Sequence, residues 1–228
     1  SYGFVLPELN KPRFILGEEA NKRLLPILLM AVKRGYVTLI QVVGEPGTGK
    51  DSMVRMSLFL LKKAVKCIER GYFTPAAMRY SEELKEADIL YIPDIDLVVG
   101  EMERQFRLMR TSDGGIISEY AYMNPKTKQM ETAVVKMPVK GIITTTNVRR
   151  ISSALKSGMW RLELSSDPKF TEEVIEAWLK YLERKKDVLP HDAKELKVWQ
   201  EAFRIIATVD VDPIIPYATE LKDLIPSE

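Results

Sequence analysis

The chain has 228 residues, which is enough for one large domain or for a domain with a small appendage. Its 34 Lys and Arg residues nearly balance its 32 Asp and Glu residues. The net charge therefore gives no evidence for nucleic-acid binding, which would have to come from local clusters. A single cysteine and a single histidine exclude an internal disulfide and a Cys/His zinc cluster, and no apolar run is long enough to span a membrane.

The first part of the chain predicts an arm, a helix, a buried strand and a second helix. Residues 1–14 are expected to form an entry arm, and residues 17–34 favour a helix in which Pro26 predicts a kink or a break. Residues 36–43 are apolar and β-branched, as is typical of a strand buried on both faces of a parallel sheet. A long helix is predicted over 51–70, which would carry Cys67.

The remainder predicts three more core strands, a hairpin and further helices. The strands are expected at 89–92, 141–146 and 160–164. Two β-rich arms around a polar Asn-Pro tip predict a hairpin over 115–138. Helices are predicted over 101–110, 168–186 and 191–208, followed by an extended tail that contains several prolines.

A glycine-rich loop joins the first predicted strand to its helix. It reads Gly-Glu-Pro-Gly-Thr-Gly-Lys, which is the P-loop pattern Gly-x-x-x-x-Gly-Lys. Glycines let consecutive backbone N–H groups curl around a phosphate, and the helix N-terminus adds a favourable dipole. Lys50 would neutralise the β- and γ-phosphates. The predicted nucleotide site consists of Gly44, Glu45, Pro46, Gly47, Thr48, Gly49, Lys50, Asp51 and Ser52.

The residue after the P-loop lysine departs from the pattern. A Ser or Thr at this position supplies a hydroxyl to Mg²⁺, whereas this chain has Asp51, with Ser52 one place later. Two like charges about 4 Å apart repel by about 4 kcal/mol at an effective dielectric of about 20, and an intervening Mg²⁺ reverses the sign. Two interpretations stay open: Asp51 caps the helix, or Asp51 is a metal ligand.

Two later strand ends carry the other polar candidates. In AAA+ P-loop ATPases, a core strand is followed by Asp-Glu. The Asp supports Mg²⁺, and the Glu polarises the attacking water. Here Pro93 takes the place of the Asp, and Asp94 takes that of the Glu as candidate general base and metal ligand. One interpretation is that the metal-binding carboxylate missing at Pro93 is replaced by the one at Asp51. The alternative is a weakened ATPase. Asn147 follows a third strand and is expected to help place the attacking water, because strand ends face the γ-phosphate in this topology.

Together these features resemble the AAA+ ATPases with a pre-sensor hairpin, a group that includes the superfamily 3 viral helicases and the minichromosome-maintenance helicases. Similar ATPases occur in phages and mobile elements. The resemblance covers residues 35–220. It implies an α/β fold with a parallel five-stranded sheet flanked by helices, a β-hairpin insertion and a C-terminal helical lid. It also implies ATP and Mg²⁺ as cofactors.

The resemblance assigns further residues to partners. In such helicases the hairpin points into the channel of a hexamer and grips single-stranded DNA, a role that Lys126 and Lys128 at the predicted tip would fill. A solvated turn is the alternative. Arg150 and Arg161, with Arg149, are the candidates for an arginine that reaches the γ-phosphate of a neighbouring subunit. A plain surface charge is the alternative for each of them.

The resemblance also implies a domain organisation and an activity. We expect an N-terminal arm and helix over 1–34, an ATPase core over 35–166, a helical lid over 167–209, and a tail over 210–228 that leads to a further domain. The expected function is the ATPase motor of a replication-type DNA helicase. Two alternatives stay open: a nucleotide-dependent switch or helicase loader that does not translocate, and a weakly hydrolysing structural subunit. The chain opens Ser-Tyr-Gly without a signal peptide, so we expect a cytoplasmic fragment of a longer protein.

Overall fold

A computed structural model describes residues 2–6, 11–15, 18–71, 81–94, 117–136, 139–147, 158–167 and 193–209, with several positions between 169 and 179. The strands, in chain order, are β1 (Tyr2–Leu6), β2 (Lys11–Ile15), β3 (Thr38–Val43), β4 (Cys67–Glu69), β5 (Ile89–Ile92), β6 (Ile117–Met123), β7 (Met130–Lys136), β8 (Gly141–Thr146) and β9 (Trp160–Glu163). The helices are α1 (Glu19–Ala31), which continues into a 3₁₀ turn (Val32–Arg34), α2 (Lys50–Leu60), α3 (Glu82–Lys85) and α4 (Ala193–Thr208).

The centre of the molecule is a parallel sheet of five strands in the order β4-β5-β8-β3-β9. Every residue of β3, β5 and β8 is buried, which explains why these segments read as apolar and β-branched runs. The predicted α/β fold with a five-stranded parallel sheet is confirmed. Since parallel strands share one direction, the carboxyl ends of β3, β5 and β8 lie at the same edge of the sheet.

The core packs one face of this sheet against α1 and α2. Alternate strand residues point to this face, and the helices contribute their apolar sides. The side chains that meet there include Leu25, Leu28, Leu29, Ile40, Val42, Met53, Val54, Tyr91, Ile143 and Leu162. Each fully buried aliphatic side chain contributes about 1.5–3 kcal/mol relative to its exposed state. This packing holds the N-terminus of α2 over the carboxyl edge of the sheet.

Helix α4 confirms the predicted helix over 191–208 and packs against α2. The Gln200 side-chain amide donates to the carbonyl oxygen of Phe59 at 3.0 Å, and Lys63 forms an ion pair with Glu201 at 3.3 Å. The predicted lid remains a prediction, because most of its first helix lies outside the described residues. No helix in the described part of the chain is long and apolar enough to cross a membrane.

The hairpin predicted over 115–138 is confirmed as an antiparallel pair of β6 and β7 that forms a sheet of its own. Its turn is closed by local hydrogen bonds. The Lys128 amide donates to the carbonyl oxygen of Asn124 at 2.8 Å, and the Lys126 amide donates to Asn124 Oδ1 at 2.9 Å. Lys128 has a φ of +55°, so the turn depends on a left-handed residue.

The helix predicted over 51–70 is wrong in its second half. Helix α2 ends at Leu60, and the chain then turns, with the Ala64 and Val65 amides both donating to the carbonyl oxygen of Leu61 at 2.8 Å. Cys67 lies on strand β4, which pairs with β5. The apolar spacing of this segment fits a helix, but pairing with β5 decides its conformation.

The structure refines two smaller expectations. Within the predicted entry arm, β1 pairs with β2 as a two-stranded antiparallel sheet. Pro26 does not break α1, which runs through it from Glu19 to Ala31. A proline inside a helix removes one backbone hydrogen bond, and the buried apolar side of α1 offsets this loss. The predicted helix over 101–110 and the tail over 210–228 lie outside the described residues.

Candidate functional site

The P-loop connects the end of β3 to the start of α2, as the sequence predicts. The Gly44 amide donates to the carbonyl oxygen of Thr146 at 3.2 Å, which ties the loop to the end of β8. The Thr48 hydroxyl donates to the carbonyl oxygen of Glu45 at 2.9 Å and closes the loop. A Cβ atom at Gly44 would lie 2.4 Å from Thr48 Oγ1, so a larger residue there would displace the side chain that closes the loop. Gly49, the N-cap of α2, has a φ of +81°, which also favours glycine.

The first turn of α2 presents free backbone donors. Within the described residues, the amides of Gly49, Lys50 and Asp51 donate to no backbone carbonyl. The first amides of any helix lack an internal partner, and together with the helix dipole they favour an anion. A phosphate group matches this arrangement in charge and in hydrogen-bonding capacity.

Lys50 is the buried cation of the loop, with a relative exposure of 8%. Its ammonium group donates to the side-chain oxygen of Asn147, the residue that follows β8. Asn147 is neutral, and Lys50 makes no ion pair with any carboxylate in the described part of the chain. An uncompensated buried charge costs several kcal/mol, so this position favours a bound anion. The contact also brings Asn147 to the P-loop, where the sequence expects it.

Asp51 is held by two hydroxyl groups. Its Oδ1 atom accepts hydrogen bonds from Tyr91 Oη on β5 and from Thr145 Oγ1 on β8, each at 2.7 Å. The interpretation of Asp51 as a helix cap is wrong, because the N-cap is Gly49 and no side chain caps α2. Burial, and then the Asp51 carboxylate, raise the pKa of Tyr91 well above its usual range. Tyr91 therefore stays a neutral donor at physiological pH.

Asp94 follows β5 at the same edge of the sheet. Its backbone amide donates to Thr145 Oγ1 at 3.2 Å, and its φ of +56° is left-handed. A non-glycine residue in that conformation costs on the order of 1 kcal/mol, and such residues cluster at functional sites. Thr145 thereby links the candidate base Asp94 to the candidate metal ligand Asp51. Tyr91 and Thr145 are not among the site residues that the sequence predicts, although a tyrosine in a buried strand indicates a hydroxyl that needs a partner.

The donor set fits a Mg²⁺ ion that is held jointly with a nucleotide. Oδ1 of Asp51 is occupied by two hydroxyl groups, whereas Oδ2 has no protein partner among the described residues. No group of three or more acidic, histidine or cysteine side chains converges in that part of the chain. Mg²⁺ in nucleotide sites takes one or two carboxylates and completes its shell with phosphates and water. Asp51, with Asp94 nearby, supplies the one or two carboxylates that such a site needs. The described residues do not supply enough ligands for a metal site without nucleotide.

The remaining predicted residues lie apart from this cluster. Arg161 lies on the edge strand β9 and forms an ion pair with Glu163 at 3.0 Å. Lys126 and Lys128 are exposed at the hairpin tip and share no hydrogen bond with the P-loop. Ser52 lies half-buried on α2. Arg149 and Arg150 lie outside the described residues.

No protein-family model and no curated protein sequence matches the chain. Solved structures match it with low sequence identity. NtrX from Brucella abortus, in complex with ATP, is 14% identical over 95% of this chain and 57% of its own, with a TM-score of 0.48. The JCV helicase with a bound inhibitor is 12% identical over 92% of this chain and 54% of its own, with a TM-score of 0.45. A putative ATPase from Cytophaga hutchinsonii is 12% identical over 69% of this chain and 50% of its own, with a TM-score of 0.39.

The chain thus spans about half the length of the structures it matches. Because all these TM-scores are below 0.5, the function has to be inferred from the site itself.

Proposed function

We propose that the chain is a P-loop ATPase domain of the AAA+ type, which binds and hydrolyses ATP with Mg²⁺. The observation that supports this most directly is the Lys50 ammonium, a buried cation without an ion-pair partner in the described chain. It lies at the start of a helix whose first amides are free. A polyphosphate would satisfy the cation and the amides together.

Each residue of the site then has a defined task. The amides of the loop bind the phosphates, and Lys50 transfers its contact from Asn147 to a phosphate oxygen. Asn147 and Asp94 orient the attacking water, and Asp94 accepts its proton. Asp51 Oδ2 would hold Mg²⁺, which when bound supplies charge neutralisation at the phosphate oxygens. Asp94 is one methylene shorter than the usual glutamate, so we expect slow hydrolysis.

The test is nucleotide binding by the Lys50→Ala variant. We expect isothermal titration calorimetry to show ADP binding to the unmodified chain and a loss of at least about 100-fold in the variant, because the variant lacks the cation that is buried beside the phosphates. Lys85→Ala, which removes an exposed lysine on α3, is the matched control and should bind ADP normally. Unchanged ADP affinity in Lys50→Ala, or no binding by the unmodified chain, would contradict the assignment.

We further propose that this ATPase is the motor of a replication-type DNA helicase that works as a hexameric ring. The support is the hairpin, which precedes β8 and exposes Lys126 and Lys128 at its tip. Arg161 or Arg150 would complete the site of the neighbouring subunit.

The decisive measurement is ATP hydrolysis with and without single-stranded DNA, together with strand separation. DNA-stimulated hydrolysis with strand separation is the expected result. Hydrolysis without strand separation would identify a switch or loader, and nucleotide binding without hydrolysis would identify a structural subunit.

A further inference from the structure

Two buried hydroxyl groups converge on a single carboxylate oxygen beneath the P-loop. Tyr91 Oη and Thr145 Oγ1 each lie 2.7 Å from Oδ1 of Asp51. The three residues come from β5, β8 and the first turn of α2, so the contact joins three separate elements. Neither hydroxyl belongs to the P-loop pattern, in which the residue after the lysine itself carries the hydroxyl.

Both donors are enclosed by protein. Tyr91 and Thr145 have relative exposures of 0% and 1%. A buried hydroxyl without a partner is costly, so these two groups are committed to the available acceptor. Hydrogen bonds to an ionised carboxylate are stronger than neutral ones, and both distances of 2.7 Å are within the normal range for a hydroxyl donor.

The Arg55 side chain also restrains the Tyr91 ring. The guanidinium carbon of Arg55, one turn after Asp51 on α2, lies 5.8 Å from the centroid of the Tyr91 ring. The same guanidinium forms an ion pair with Glu69 on β4. A cation over an aromatic face is attracted to it, and this restricts the movement of the ring.

Thr145 has a second bond that extends the network. Its oxygen accepts the backbone amide of Asp94 at 3.2 Å, while its hydroxyl proton goes to Asp51. The chain of hydrogen bonds therefore runs from the left-handed Asp94 through Thr145 to Asp51. It connects the Asp51 carboxylate to the backbone of Asp94 through one buried side chain.

We propose that Tyr91 and Thr145 are positioning residues that fix Oδ1 of Asp51, so that Oδ2 remains as the oxygen available to nucleotide-bound Mg²⁺. This inference rests on the proposed function. An unrestrained carboxylate at this position has several side-chain rotamers, and only some of them present an oxygen to an ion that is bound to the nucleotide. Fixing one oxygen selects a single rotamer and prepares the other oxygen for the ion.

The experiment compares Thr145→Val with Thr145→Ser, and adds Tyr91→Phe. Valine has nearly the shape of threonine without the hydroxyl, and serine keeps the hydroxyl. ADP affinity is measured by calorimetry with Mg²⁺ and with EDTA, and Mn²⁺ binding in the presence of ADP is measured by electron paramagnetic resonance. We expect Thr145→Val and Tyr91→Phe to weaken metal binding by about 10- to 100-fold, with ADP affinity in EDTA unchanged and Thr145→Ser close to the unmodified chain.

The outcomes separate this inference from the proposed function. If the unmodified chain binds no ADP, the proposed function fails. If Asp51→Asn loses the metal effect while Thr145→Val and Tyr91→Phe retain it, the function stands and the positioning inference is wrong. An equal loss of ADP affinity with and without metal would mean that the hydroxyls only stabilise the sheet, which also overturns it. Thermal unfolding shows whether each variant is folded. If Thr145→Val does not fold, Tyr91→Phe still tests the inference.

Discussion

A carboxylate in the first turn of α2 gives this P-loop unusual electrostatics. Asp51 stands where other P-loops place a hydroxyl, and its Oδ1 is bound by Tyr91 and Thr145. Without a metal, its charge opposes that of a polyphosphate held by the same turn. With Mg²⁺ between them, both charges attract the ion. Nucleotide binding should therefore depend on Mg²⁺ more strongly than it does in a P-loop with a neutral residue at this position.

The Asp51→Asn variant tests this expectation. Its ADP affinity in EDTA should increase by at least about 10-fold, because the repulsion is removed, and its response to Mg²⁺ should fall by at least as much. Calorimetric titrations at several Mg²⁺ concentrations measure both effects. Glu82→Gln removes an exposed carboxylate on α3 and is the control for net charge. Equal Mg²⁺ dependence in Asp51→Asn and the unmodified chain would mean that Asp51 has a structural role alone.

Cys67 offers a second test on a single side chain. Burial, and next the Glu69 carboxylate, raise the pKa of its thiol to about 12, from an ordinary value of 9.0. The thiolate is the reactive form, so three pKa units correspond to about 1,000-fold less thiolate at pH 8. Alkylation by iodoacetamide, followed by mass spectrometry, should be about 1,000-fold slower in the folded chain than in urea. Rapid alkylation of the folded chain would indicate that β4 detaches from the sheet.

Individual elements differ in how much of their structure comes from local sequence. The hairpin follows from its turn, because Asn124 and the left-handed Lys128 close it within a few residues. The segment after the P-loop behaves differently. Its apolar spacing continues past Leu60, yet residues 67–69 form β4, because the backbone there pairs with β5. Hydrogen bonding between distant segments outweighs helix propensity at that point.

The hairpin carries the prediction for nucleic-acid binding. Lys126→Ala combined with Lys128→Ala should weaken binding to a fluorescent single-stranded oligonucleotide. Each lost phosphate contact makes the negative slope of log K against log salt less steep by about 0.7. Anisotropy titrations at several salt concentrations give the slope, and ADP binding should be unaffected. Lys66→Ala with Lys85→Ala removes the same charge from other elements. If the two double variants have equal slopes, the tip is a solvated turn.

On the scale of the whole molecule, the sheet places the candidate site at one edge. The ends of β3, β5 and β8 bring the P-loop, Asp94 and Asn147 together, and the core between the sheet and α1 and α2 holds them. Ligand binding at this edge should therefore stabilise the complete fold. A ligand at about 100 times its Kd adds about 2.7 kcal/mol to the free energy of unfolding.

Thermal unfolding measures this stabilisation. ADP with Mg²⁺ should raise the Tm by about 5–10 °C for a chain of this size. ADP in EDTA should raise it less, since Asp51 then opposes the phosphates. Lys50→Ala should show no increase with either addition, and Lys85→Ala should respond as the unmodified chain does. A similar increase in Lys50→Ala would place the nucleotide elsewhere on the molecule.

The P-loop, the buried strands and the hairpin can be predicted from the amino-acid sequence. Each depends on neighbouring residues: glycines that permit left-handed backbone, β-branched runs that suit a sheet buried on both faces, and an asparagine that closes a turn. The course of β4 and the partners of Lys50 and Asp51, in contrast, depend on how distant segments fold together. Those partners lie 97, 40 and 94 residues away along the chain, at Asn147, Tyr91 and Thr145. Contacts at such separations are set by strand order and packing, which local residue patterns do not encode.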